Sequence, residues 1–234
     1  MSKRIACVLA ATITLAGVLG GSAVAAEAGQ GAADAQTATS CGSVRLSGSL
    51  PAPPAGMAVQ QQVTIGDDCK PELGPVRHVP AGAASPPAAK AVEGARTGAA
   101  AAGTRQLRTW NEMFDCCNIR MTGLYTTSTW DTASGRVVNA ATEARQEWNR
   151  EPWDAGWSLL SSSGKDDCAT DCAVVNAEAH ASFTYAGIFD PSGTVYANTH
   201  HSYVRIGADS GASCHFDVEL KQTFIGWNWR HGCE

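Results

Sequence analysis

Alternation of apolar and polar residues near the C-terminus is the feature that most limits how this chain can fold. Residues 172–225 divide into three long stretches, AVVNAEAHASFTYAG, TVYANTHHSYVRIG and ASCHFDVELKQTFIG, with turn-forming residues at 190–193 and 208–211 between them. In the third stretch every second residue is apolar, namely Cys214, Phe216, Val218 and Leu220. A period of two places these side chains on one face of a strand, so the pattern predicts an antiparallel meander with one buried face.

The rest of the chain supports the same fold class. Further strands are predicted at 44–50, 57–65, 118–129 and 156–163. Good helix formers, mainly Ala, Glu, Gln and Arg, occupy 140–149 and predict a single short helix there. The predicted fold is therefore mostly β, an antiparallel β-sandwich or partly closed barrel with one short helix, stabilised by disulfide bonds.

Aromatic residues are confined to the second half of the chain. All 16 Phe, Trp and Tyr residues lie at or after Trp110, so we expect the main β domain at 106–234. Residues 80–105 are rich in Ala, Gly and Pro and are interpreted as a linker, and 26–40 as a disordered tail. Residues 41–79 form a small β segment, which either folds by itself or adds edge strands to the main domain.

The N-terminus has the pattern of an export signal. Lys3 and Arg4 precede an apolar stretch at 5–19, and small residues at 23–25 provide a cleavage site. Residues 1–25 are therefore predicted to be a signal peptide. The stretch is too short for a strong membrane span, so we expect a secreted, extracellular protein that has no membrane contact after the signal is removed.

Cysteine usage agrees with an oxidising compartment. Removal of the signal leaves an even set of cysteines, which suits disulfide bonds in a secreted chain: Cys41, Cys69, Cys116, Cys117, Cys168, Cys172, Cys214 and Cys233. A bond between Cys41 and Cys69 would bracket the small β segment. The neighbours Cys116 and Cys117 are expected to bond to two different partners, because side chains of adjacent strand residues diverge.

Charge and motifs exclude several classes of partner. The whole chain has 17 Lys and Arg against 22 Asp and Glu, a net charge of −5, and loss of two basic residues with the signal makes it more acidic. An acidic surface repels phosphate backbones, so no nucleic-acid partner is expected. The cysteines lack metal-ligand spacing and the chain has no cofactor motif, so we predict no metal and no cofactor. We also expect a monomer.

Histidine provides a weak catalytic candidate. If Ile206 pairs with Ala212 across the turn at 208–211, the register places His201 opposite Asp217 and Tyr203 opposite His215, all on the solvent-facing side of the sheet. A histidine beside a carboxylate can act as a general base. The alternative is that these cross-strand pairs only stabilise the sheet.

Tryptophan provides a weak ligand-binding candidate. Trp227 and Trp229 fall on one face of an extended segment, and with Tyr203 they are the candidate ligand-binding residues. Exposed rings of this kind would form a platform for sugar rings. The alternative is that the large rings fill space left by a sheet face of alanines such as Ala177 and Ala179.

These observations favour a secreted binding or interaction module, with a carbohydrate or a protein surface as its partner. One alternative is a secreted hydrolase that uses His201 with Asp217. Another is a secreted inhibitor or toxin-like effector, in which disulfide bonds hold exposed loops rigid.

Overall fold

A computed structural model describes residues 40–83, 104–150, 156–186, 195–209 and 211–234, and every regular element in these ranges is a strand. The predicted signal peptide and tail, through residue 39, and residues 84–103 of the predicted linker lie outside the described residues. The twelve strands are β1 (Ser40–Leu50), β2 (Met57–Ile65), β3 (Pro71–Leu73), β4 (Arg77–Pro80), β5 (Arg105–Phe114), β6 (Arg120–Ala133), β7 (Arg136–Trp148), β8 (Trp157–Asp166), β9 (Val174–Tyr185), β10 (Tyr196–Gly207), β11 (Ala212–Phe224) and β12 (Asn228–Cys233).

The strands form two antiparallel sheets that pack face to face. The five-stranded sheet has the order β1-β11-β10-β9-β8, and the seven-stranded sheet has the order β3-β2-β12-β5-β6-β7, with β4 beside β2. Apolar side chains of both sheets share one core, which includes Leu46, Val63, Phe183, Phe216 and Trp229. The sheets do not close into a barrel, so the predicted β-sandwich is confirmed. No helix in the described part of the chain is long and apolar enough to cross a membrane.

The predicted meander forms most of the five-stranded sheet. Its three stretches are β9, β10 and β11, which pair in sequence order. Ile206 pairs with Ala212, and the predicted register follows along the two strands. Because every second residue of β11 from Cys214 to Leu220 is buried, the alternation identified the core-facing side correctly.

The prediction of a helix at 140–149 is wrong. These residues belong mainly to β7, which pairs with β6 from Arg136 to Trp148. Helix propensity differs by only a few tenths of a kcal/mol among most residues and is easily overridden. Strand β6 is long and would otherwise leave a row of unpaired backbone groups along its free edge, and β7 satisfies them.

Residues 40–83 contribute strands to both sheets of the main domain. Strand β1 pairs with β11 in the five-stranded sheet, whereas β2 pairs with β12 in the seven-stranded sheet. Of the two alternatives for 41–79, the structure therefore has the one in which its strands extend the main domain. The predicted bond between Cys41 and Cys69 is present, and it links β1 to the turn after β2.

The other six cysteines of the described residues form one disulfide bond and four free thiols. Cys168 and Cys172 are bonded to each other across a short loop. Cys116 and Cys117 are exposed thiols with their sulfur atoms 3.7 Å apart, and neither is bonded to a different partner. Cys214 and Cys233 are thiols inside the core.

Candidate functional site

A groove of about 1090 Å³ lies on the outer face of the seven-stranded sheet. Its floor comes from β2, β12 and β5, where Gln62 pairs with Arg230 and Arg230 with Glu112 across neighbouring strands. One wall is the segment 72–77, and the other is formed by residues 118–120 and 148–150. Its size is that of a site for a small or oligomeric ligand.

The floor exists because β5 is buried on both of its faces. Asn111 and Met113 point into the core, so the side chains of Trp110, Glu112 and Phe114 must point to the other side of the sheet. Trp110 packs there against Ala58, Tyr125 and Val79. Because of this second apolar layer on the outer face, Glu112 is only 4% exposed.

Glu112 is held by a tyrosine and an arginine. The Tyr125 hydroxyl donates to Glu112 Oε1, and Arg120 Nη1 lies 3.3 Å from the same oxygen and 2.7 Å from the Tyr125 hydroxyl. Gly123 allows this arrangement, because a Cβ there would lie 3.0 Å from the Tyr125 hydroxyl. Burial raises the pKa of Glu112, and the hydrogen bonds from Tyr125 and Arg120 offset only part of that effect.

The groove is positively charged although the whole chain is acidic. Four arginines and two glutamates line it among the described residues: Arg77, Arg120, Arg150 and Arg230, with Glu72 and Glu112. Arg120 is ion-paired with both Glu112 and Glu147, whereas Arg77, Arg150 and Arg230 form no ion pair with the residues that the structure describes. The excess of guanidinium groups favours an anionic ligand.

Two of these arginines lie over aromatic rings. The Arg230 guanidinium carbon is 4.1 Å from the centre of the Phe114 ring, and that of Arg150 is 4.5 Å from the Trp148 ring. Arg230 also donates to the side chain of Asn118 at the groove wall. These contacts hold the guanidinium planes in fixed orientations, which is the form in which arginine recognises carboxylate or sulfate groups.

Side-chain amides and partly exposed rings complete the lining. Gln60, Gln61 and Gln62 come from β2, and Phe114 and Trp148 are only partly buried. Amides can both donate to and accept from hydroxyl groups, while the rings provide apolar surface. The described residues contain no group of three or more side chains able to hold a metal ion.

The predicted histidine pair lies on the opposite side of the molecule, on the outer face of the five-stranded sheet. His201 is opposite Asp217 and Tyr203 is opposite His215, as the register prediction states. Their side chains nevertheless make different contacts from the expected ones. His201 Nδ1 lies 2.5 Å from His180 Nδ1, whereas Asp217 Oδ1 lies 3.2 Å from His215 Nε2.

A serine extends the pair formed by His215 and Asp217. Ser49 Oγ, on the edge strand β1, lies 2.8 Å from His215 Nδ1. Ser49, His215 and Asp217 thus form a hydrogen-bonded chain in which both ring nitrogens are engaged. Burial and the nearby His180 lower the pKa of His201, which therefore stays neutral at neutral pH.

The predicted platform of Trp227 and Trp229 is not formed. Trp227 is 7% exposed and Trp229 is fully buried, so neither can stack on a ligand, and both fill the core as the alternative interpretation states. Trp229 stacks on His231 and donates its indole N–H to Asn111. Tyr203 remains partly exposed between the rings of His201 and His215.

The sequence does not single out Glu112, Tyr125, Arg120 or Arg230. The one available signal was the stretch TWNEMF at 109–114, where an amide and a carboxylate interrupt large apolar residues. Buried polar groups of this kind require partners, but the partners come from separate strands. Comparison of the chain with protein-family models, curated proteins and solved structures finds no match.

Proposed function

We propose that the protein is a secreted binding module whose groove takes an oligosaccharide that carries acidic groups. The observation that supports this proposal is the lining of the groove, which combines four arginines, three glutamines and two partly exposed aromatic rings. Guanidinium groups bind carboxylates or sulfates, amides bind hydroxyls, and ring faces cover the apolar side of a sugar.

The shape of the site favours a sugar chain over a protein surface. A stable protein interface buries about 800 Å² on each partner and is usually centred on exposed apolar residues. The groove is concave and its rings are bordered by charged and amide side chains. Secretion is supported by the N-terminal signal pattern and by disulfide bonds at Cys41–Cys69 and Cys168–Cys172.

Removal of Arg230 is expected to weaken binding of a uronic-acid oligosaccharide at least about tenfold, because each charge-assisted contact contributes roughly 1.5 to 3 kcal/mol. Isothermal titration calorimetry with Arg230→Ala measures the loss, and the melting temperature of the variant checks that it folds. Arg205→Ala is the matched control, since Arg205 is exposed on the other sheet and outside the groove.

Two outcomes would contradict the proposal. Equal affinity for neutral and acidic oligosaccharides would remove the part played by the arginines. Failure of the native protein to bind any member of a broad glycan array, acidic members included, would remove the carbohydrate itself.

The hydrogen-bonded chain of Ser49, His215 and Asp217 supports a second candidate function, hydrolysis by an activated serine. In this role His215 would take the Ser49 proton through Nδ1 while Asp217 stabilises the charged ring through Nε2. It replaces the pair of His201 and Asp217, because the Asp217 carboxylate contacts His215.

Ser49→Ala is expected to reduce hydrolysis of activated esters at least about 100-fold if this second function is present. Turnover of a panel of nitrophenyl esters measures it. Ser47→Ala is the control, since Ser47 is exposed on the same strand two residues away. An inactive native protein, or full activity in the Ser49 variant, would eliminate this candidate.

A further inference from the structure

Two buried thiols lie where the sheets of the sandwich meet. Cys214 is the third residue of β11 in the five-stranded sheet, and Cys233 is the last residue of β12 in the seven-stranded sheet. Their exposed fractions are 1% and 0%. Both belong to one core cluster, and they flank the same stretch of chain, since Cys214 pairs with Leu50 and the Cys233 sulfur lies beside the carbonyl oxygen of Pro51.

Backbone pairing encloses each cysteine within its own sheet. Cys214 pairs with Leu50 on one side and with Val204 on the other, so it sits in the interior of its sheet. Cys233 pairs with Val59 and Thr109 and is equally enclosed. The chain leaving β1 passes between the sheets here, since Cys233 Sγ lies 4.0 Å from the carbonyl oxygen of Pro51.

No other cysteine in the described part of the chain can reach either thiol. Cys41 is bonded to Cys69, and Cys168 to Cys172. Cys116 and Cys117 lie beyond the far end of β5, where Cys116 is next to Gly226. Cys233 pairs with Thr109, seven residues before Cys116, which corresponds to roughly 20 Å along an extended strand.

We propose that Cys214 and Cys233 form a disulfide bond that joins the two sheets in the exported protein. The bond forms by thiol–disulfide exchange with a disulfide such as oxidised glutathione. One cysteine thiolate attacks that disulfide and releases one reduced thiol, and the second cysteine then displaces the other. Two protein thiols are oxidised, one disulfide is reduced to two thiols, and no further reactant is needed.

The order of events follows from burial. Exchange requires a thiolate, and burial raises the pKa of the Cys214 thiol well above its usual value. The bond must therefore form before the sandwich closes, or during openings of the edge strand β1. Together with the Cys41–Cys69 bond, it would provide a second covalent link between the sheets.

Peptide mapping tests the proposal directly. The chain is folded from its reduced state in a mixture of reduced and oxidised glutathione, denatured without reductant, alkylated and digested with trypsin. Cleavage after Arg205, Lys221 and Arg230 separates Cys214, in peptide 206–221, from Cys233, in peptide 231–234. The expected product is these two peptides joined by a disulfide, which reduction separates.

The Cys41–Cys69 bond is the internal control for oxidation in the same digest. Alkylation of both Cys214 and Cys233 in a sample where that control bond is intact would overturn the proposal. So would a cross-link from either residue to the peptide 109–120, which carries Cys116 and Cys117.

Melting temperatures give a second readout. Reductant is expected to lower the melting temperature of the native protein by about 5 to 10 °C more than that of a Cys214→Ala/Cys233→Ala variant, which lacks this bond from the start. Cys116→Ala/Cys117→Ala is the matched control and should respond like the native protein. An equal response of the native protein and the Cys214→Ala/Cys233→Ala variant would contradict the proposal.

Discussion

Acidification from pH 7 to pH 4.5 is expected to lower the free energy of unfolding by on the order of 5 kcal/mol through two buried histidines. Burial lowers the pKa of His200 to about 3 and that of His231 to about 3, from an ordinary value of 6.5. Below pH 6.5 the unfolded chain therefore binds protons that the folded chain does not. Stability is complete above pH 6.5 and is lost as the pH falls toward 3.

Urea unfolding at a series of pH values measures this effect, and the slope of stability against pH should approach two protons near pH 5. His231→Leu should reduce that slope to about one. His231 suits this test because its ring nitrogens have no hydrogen-bond partner among the described residues. Glu112 acts in the opposite direction, since its raised pKa favours the folded state on acidification. An unchanged slope in His231→Leu would contradict the assignment.

Local alternation was enough to predict the part of the fold that follows sequence order. Strands β9, β10 and β11 are consecutive in the chain, so each pairs with the next, and the four residues between β10 and β11 set the register of that pair. The opposition of His201 and Asp217 followed from that register. The register did not determine which side chains touch. Asp217 and His215 lie two residues apart on one face, and side-chain rotamers decide whether Asp217 contacts His215 or His201.

Long-range pairing could not be predicted in the same way. Strand β7 covers an edge of β6, but the residues at 140–149 contain no pattern that predicts this neighbouring strand. Strands β1 and β2 join different sheets although only six residues separate them. Such choices depend on which surfaces remain unpaired once the rest of the core has formed.

The groove was beyond prediction for a related reason. Its floor is a row across three strands, in which Gln62, Arg230 and Glu112 are neighbours. These residues are far apart in sequence, and Gln62 lies in the segment 41–79, for which the sequence left both an independent fold and edge strands of the main domain open. Only Glu112 carried a local signal, as a carboxylate within an apolar strand.

The core contains a polar network centred on Asn111 that joins the two sheets. Asn111 Nδ2 donates to the carbonyl oxygens of His201 and Asp217, at 3.0 and 3.1 Å. Its Oδ1 accepts from Trp229 Nε1 at 2.8 Å and lies 2.9 Å from His200 Nδ1. Because Asn111 Oδ1 can only accept, His200 carries its proton on Nδ1, and its Nε2 accepts from Thr122.

Asn111→Ala is expected to destabilise the protein by about 4 kcal/mol, because it leaves the buried donors of Trp229 and His200 unpaired and opens a small cavity. Urea unfolding at pH 7 measures the loss, and the accompanying change in Trp fluorescence reports on Trp229. Asn176→Ala is the control: Asn176 is exposed, Asp167 is the only hydrogen-bond partner of its side chain among the described residues, and the cost should be below about 1 kcal/mol. An equal loss in the free energy of unfolding for the two variants would contradict this prediction and would mean that the network does not stabilise the core. The expected difference instead means that the packing of one sheet against the other depends on the hydrogen bonds of Asn111.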